Sequence, residues 1–245
     1  NRRDAREDSG ATYPLPEFLP KATFSSVDIA EVRLTLQSRN HNQDETFLDV
    51  TQALSEGCPG RVSQRYSTVV GERGYWHSFS PRLLDATSTA FISELYPDSV
   101  EVDTVENIRI FQPESMVLTH RPDNVLDSSY SSWNWQSYFR PFGRGQELPL
   151  FTSCPWRNAI LRTDAFLHRN QSGIDVVRYA DSCDYTIRLR SQQKPRLGRL
   201  TLVSPEGHEN CQRQAVGFKR RVDGIRLQLN PEYLRNLPEL EYVTD

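Results

Sequence analysis

The chain has 245 residues, 37% of them hydrophobic and 10% aromatic, and a formal net charge of −3 at pH 7. That balance gives no electrostatic ground for nucleic-acid binding, which rests on a basic surface, and aromatic residues recurring from Phe18 to Tyr242 exclude disorder throughout. No run approaches the ~18 apolar residues of a bilayer-spanning helix, and no secretory signal is visible, so the expectation is a soluble, cytoplasmic protein.

Residues 1–10 are charged and read as a frayed end. Pro14, Pro16 and Pro20 then make residues 11–35 an extended lead-in. Residues 44–56 place Phe47, Leu48, Val50 and Leu54 near one helical face, and Gly57 with Pro59 ends that helix. The β-branched and aromatic stretch 65–71 predicts a strand. Ser80-Pro81 opens a second predicted helix, striped by Leu83, Leu84, Thr87, Phe91, Ile92 and Leu95 and closed by Pro97.

From Val105 the texture changes to short strands. Residues 107–111 and 115–120 flank a turn at Pro113-Glu114, and further strands are expected over 158–167, 176–179, 185–189, 199–204, 215–218 and 224–229. Between them, 121–157 reads as a long irregular stretch. Its aromatic part, 127–142, is either a lid or an ordinary surface loop anchored by Trp133 and Trp135. Short strands without long intervening helices predict a mainly β fold with flanking helices, an antiparallel sandwich or barrel.

Lys21, Lys194 and Lys219 are the only lysines, so the basic residues are overwhelmingly arginines. A GC-rich genome accounts for this blandly; repeated use of guanidinium forks is the functional alternative. Cys58, Cys154, Cys183 and Cys211 have no zinc-site spacing and are expected to be free, buried thiols. His77 is expected to be a satisfied structural histidine. His41 and His208 read as solvated, and Lys219-Arg220-Arg221 as a solvated turn. No phosphate-binding glycine loop, nucleophile elbow or HExxH helix is present.

Two histidines, His120 and His168, each end a predicted apolar strand, with Asp123 after the first and Arg178 after the second. Two imidazoles and a carboxylate are the set that holds Fe(II) with open positions, and an arginine offers a bidentate partner for a co-substrate carboxylate. Here the chain resembles the 2-oxoglutarate-dependent amino-acid hydroxylases, the cis-proline hydroxylases and their aspartyl/asparaginyl hydroxylase-like relatives. Those proteins place a helix, a strand, a turn and a strand ending in H-R-D, and later a D-A-S-L-P-H segment with an arginine beyond it. The counterparts here are His120-Arg121-Pro122-Asp123, Asp164-Ala165-Phe166-Leu167-His168 and Arg178.

The resemblance, over roughly residues 60–190, implies a double-stranded β-helix (a cupin-type jelly-roll barrel). It places an N-terminal segment and helix over 1–60, an oxygenase core over 61–190, and a C-terminal extension over 191–245 that completes the barrel or covers the site. It further implies Fe(II) bound by His120, Asp123 and His168, and 2-oxoglutarate gripped by Arg178, with Arg188 as the alternative anchor. The substrate is then a small amino acid or a derivative of one.

H-R-P-D departs from the family's H-x-D. On a strand, i and i+2 share a face whereas i and i+3 do not. Three alternatives stay open: a turn or bulge at Pro122 brings Asp123 to the metal, the iron has two protein ligands, or there is no iron. Two other classes of function also stand, a catalytically inactive binding module on the same barrel and an unrelated β-rich structural or interaction protein.

Overall fold

The computed structural model describes residues 30–38, 43–66, 74–77, 87–149, 157–204 and 213–235. His41, His208, Cys154, Cys211 and most of the predicted 65–71 strand lie outside them, as does the start of the predicted helix at Ser80-Pro81. The described chain is mainly β, and its strands form four open sheets.

The first sheet contains β1 (Glu31–Gln37), β2 (Gln43–Asp49), β3 (Val62–Ser63), β4 (Tyr75–Trp76) and β8 (Ser115–His120), in the order β2-β1-β8-β4-β3. The second contains β5 (Thr87–Ala90), β9 (Tyr130–Trp133), β14 (Ser182–Ile187) and β15 (Arg196–Leu202), in the order β5-β15-β14-β9. The third orders β10 (Gln136–Phe142), β13 (Gly173–Ala180), β16 (Arg213–Val222), β7 (Ile108–Pro113) and β6 (Ser99–Val105) side by side. The fourth is β11 (Gln146–Glu147), β12 (Ile160–Phe166) and β17 (Gly224–Leu229). Strands from before residue 61 and after residue 190 thus pair directly with strands from the segment between.

Alternation decides which side of each strand is buried. Val32, Leu34 and Leu36 of β1, with Met116 and Leu118 of β8, turn inward from the first sheet. They join one core with Cys183, Tyr185, Ile187, Leu200 and Leu202 of the second sheet and with Val216 and Phe218 of the third. The opposite face of the third sheet carries a smaller cluster that includes Ile110, Val177 and Ala215.

The predicted helix over 44–56 is half right. Residues up to Asp49 are β2, paired antiparallel with β1, and only α1 (Val50–Glu56) is helical. Asp49 stops the strand and starts the helix, because its Oδ1 accepts the Thr51 and Gln52 N–H groups at 2.8 and 3.3 Å. The end of α1 is tied by later residues. Trp133 Nε1–H donates to the Leu54 carbonyl at 3.0 Å and the Tyr96 hydroxyl to that of Gly57 at 2.8 Å. Of the second predicted helix, the described part is helical only over α2 (Ile92–Leu95), since Thr87–Ala90 is drawn into parallel pairing with β15.

The expectation that 121–157 is irregular is also overturned. Both β9 and β10 lie in it, and β9 sends Ser131 and Trp133 inward while Tyr130 stays exposed. Lys219, Arg220 and Arg221 belong to β16 and not to a turn: Lys219 Nζ reaches Asp103 and Asp175 at 3.0 and 3.4 Å, and Arg221 pairs with Asp175 at 2.7 Å. Cys58 and Cys183 are free and buried, as expected for those two. A hydrogen bond to Cys58, reinforced by burial, pushes the Cys183 thiol up.

The third and fourth sheets share strands. β10 leads to β11, β12 to β13 and β16 to β17, and in each sheet the strand of the β12/β13 line sits between the other two. The same three lines of chain therefore continue from one sheet into the other, as a three-stranded ribbon interrupted at 143–145, 167–172 and Asp223. Gly143 belongs at that break, with φ of 71° and Gln171 O so near that a Cβ would sit 2.8 Å from it.

Candidate functional site

The structure disperses the residues that the resemblance marks as a site. His120 ends β8 in the first sheet, opposite Tyr75 of β4 and half-buried. Asp123 lies in the exposed turn that follows. His168 begins a short 3-10 turn (His168–Asn170) at the break in the ribbon. Among the described residues no group of three His, Cys, Asp or Glu side chains is placed to hold one metal ion. His120, Asp123 and His168 accordingly do not form one, and Pro122 does not bring Asp123 into such a group.

His168 instead donates its backbone N–H and its Nδ1–H to Asp223 Oδ1, each at 2.7 Å. These bonds hold the Asp223 carboxyl below its usual range. An Nδ1–H bonded to a carboxylate is how a ligating histidine is often oriented, and in that neutral tautomer Nε2 carries the free lone pair. Among the described residues, no second and third ligand stand with His168.

The two arginines also part company. Arg178 is in β13, with its guanidinium 5.2 Å from the Trp135 ring centre and its Nε buried without a hydrogen-bond acceptor. The Arg188 side chain is exposed just after β14. Its backbone does the structural work, accepting from Leu126 N–H at 2.8 Å and donating to Ser129 Oγ at 2.9 Å. His77 behaves as expected of a structural histidine: it is 5% exposed, its Nε2–H donates to the Leu95 carbonyl at 3.1 Å, and burial lowers its pKa to about 4.

Two of the clefts formed by described residues are wide and open. One of about 380 Å³ is lined by Arg61, Ser63, Arg65, Asp127 and Tyr130, and one of about 550 Å³ by Arg33, Phe47, Asp98, Val100 and Glu114. Both have more polar than apolar lining, whereas small-molecule sites are enclosed and mostly apolar.

The strongest unexplained chemistry is at the end of the ribbon. Every residue of β17 except Gly224 is exposed, although the strand alternates as a buried one would: Ile225 is 61% exposed, Leu227 51% and Leu229 46%. Pairing with β12 sets Ile225 opposite Ala165 and Leu227 opposite Thr163, while Leu161 bulges beside Leu229 and is 54% exposed. These four large apolar side chains lie along one side of a thin sheet.

The other side is polar and already satisfied. Asp164 accepts from Arg162 Nε at 2.8 Å and from Arg226 Nη2 at 2.7 Å, and the two guanidinia screen it from water. Arg226 first, then Arg162, holds the Asp164 carboxyl below its usual range against the opposing effect of burial. Arg226, the only charge in β17, is thereby committed within its own chain. Sequence reading placed β17 correctly as a strand and assigned no surface to it; the available signal was that Gly224–Leu229 carries one charge in six residues.

Among the described residues, no helix is long and apolar enough to cross a membrane. Compared with protein-family models, curated proteins and solved structures, the chain matches none.

Proposed function

We propose that this chain is a β-rich interaction protein that works through the exposed end of its ribbon. The observation that carries the reading is β17, an edge strand with one side lined by Ile225, Leu227 and Leu229 and no described element over it. Long apolar edges invite pairing, and folded proteins normally shorten, charge or cover them. A contiguous exposed apolar patch marks a surface that meets another surface. Among the described residues no three His, Cys, Asp or Glu side chains gather for the oxygenase implied by the sequence resemblance, and the two open clefts have more polar than apolar lining.

Leu227→Lys separates an interaction surface from an internal packing surface. Because Leu227 is half exposed and faces away from both core clusters, the substitution is expected to change unfolding free energy by no more than about 0.5 kcal/mol. It is expected at the same time to weaken association in sedimentation experiments. A loss of several kcal/mol would show that the chain packs this side against itself, and the reading would fall.

A further inference from the structure

We infer that the partner of β17 is β17 of a second copy of this chain, paired antiparallel about a twofold axis at Leu227; this rests on the interaction reading above. Only β12 pairs with β17 among the described residues, and no other described strand takes the second row of its N–H and C=O groups, which is the row a further strand would use. A strand added there would extend the sheet from three strands to a symmetric six.

The two long edges of the ribbon differ in what they permit. At the β10 edge, Pro141 removes a donor, and arginines cover two of the exposed aromatics: Arg140 lies 5.5 Å from the Tyr138 ring centre and Arg221 3.4 Å from that of Phe142. Proline and charge are the devices that block edge-to-edge pairing. Gly224–Leu229 has no proline and no lysine, and its one arginine is held by Asp164. The open edge is therefore the β17 edge.

Its sequence is complementary to itself in one register. With Leu227 on the axis, Leu227 faces Leu227, Ile225 faces Leu229 and Arg226 faces Gln228. No like charges oppose each other, and every apolar residue meets an apolar one on the same side of the joined sheet. A twofold contact of this kind closes after two copies, whereas a head-to-tail contact would propagate. The apolar side of the joined sheet would then run across both copies, with Leu161 at each end.

The test uses the full chain. Sedimentation velocity across a dilution series is expected to show a monomer–dimer equilibrium, and Leu227→Lys, which sets two ammonium groups face to face, should weaken it by at least about tenfold. Leu227→Cys should form a disulfide-linked dimer under mild oxidation, above the background given by the unsubstituted chain. Ile225→Cys should not link to itself but should link to Leu229→Cys when the two are mixed. A monomer at every concentration, with Leu227→Lys as stable as the parent, overturns self-pairing and leaves the interaction surface for another partner. A dimer lacking this linkage pattern overturns the register and the twofold at Leu227. A Leu227→Lys chain that is strongly destabilised overturns both readings.

Discussion

Lowering the pH from 6.5 to 4 is expected to remove about 3 kcal/mol of folding stability through one side chain, His77. The imidazole is 5% exposed, its Nε2–H is bonded to the Leu95 carbonyl at 3.1 Å, and its Nδ1 has no hydrogen-bond partner. The ring lies 5.1 Å from that of Tyr96, which is itself fully buried. A proton added there would create a charge out of contact with water, and burial accordingly lowers the pKa from 6.5 to about 4.

The sign follows from proton counting. Between pH 6.5 and 4 the unfolded chain binds a proton at this histidine and the folded chain does not, so stability is complete above 6.5 and falls as pH falls toward 4. Asp164, Asp175 and Asp223 act in a separate, lower window. Their folded pKa values lie below 3.8, so their contribution is present above that value and is lost on further acidification. Urea unfolding at a series of pH values should show the upper window in the parent and its absence in His77→Gln, whatever that variant's stability at pH 7. An equal slope in both proteins would contradict the assignment.

Gly217→Ala is expected to cost ~3 kcal/mol or more, because a methyl group has nowhere to go in the middle of the third sheet. A Cβ built on Gly217 falls 2.3 Å from the Arg178 carbonyl oxygen, 2.9 Å from the Tyr179 Cα and 2.9 Å from Ile110 Cγ2. Two of those neighbours are backbone of β13 and cannot turn aside as a side-chain end could. Glycine within a strand often marks such close approach of another strand. Chemical denaturation of Gly217→Ala beside Ala215→Gly, which removes a buried methyl from the same strand, measures the effect; a smaller loss at Gly217 would show that β13 shifts freely.

How much of this was legible in the sequence depended on whether the deciding contact was local. Residues 115–120 and 224–229 declared themselves as strands through alternation bounded by turns, and both ends of each agree with the structure. Phe47, Leu48, Val50 and Leu54 fit a helical face, yet β2 ends only at Asp49, because pairing with β1 captures Phe47 and Leu48 and the Asp49 cap starts the helix that holds the other two. Thr87–Ala90 became a strand through its parallel partner β15, more than a hundred residues later, and no local pattern encodes that. The polar run around Tyr130 concealed β9 because serine occupies its inward position at Ser131, beside an inward Trp133.

The candidate site was less legible for the same reason. His120 and His168 have the residue types and flanking patterns of metal ligands, but a metal site is a statement about distance. His168 spends its Nδ1–H on Asp223, a residue 55 positions away that no motif connected to it. The β17 edge was readable as a strand and unreadable as a surface, since alternation reports two chemically different sides and is silent on whether anything covers the apolar one.

Hydrogen exchange at the β17 amides, followed from dilute to concentrated protein, tests the central claim most directly. Half of these N–H groups point away from β12, and no described strand pairs with them, so they are expected to exchange quickly unless another strand supplies acceptors. The expected result is that the outward amides between Ile225 and Leu229 become protected as concentration rises, while those of the β10 edge do not. Fast exchange of the outward β17 amides at every concentration, with β12 and β13 protected throughout, would contradict pairing at this edge.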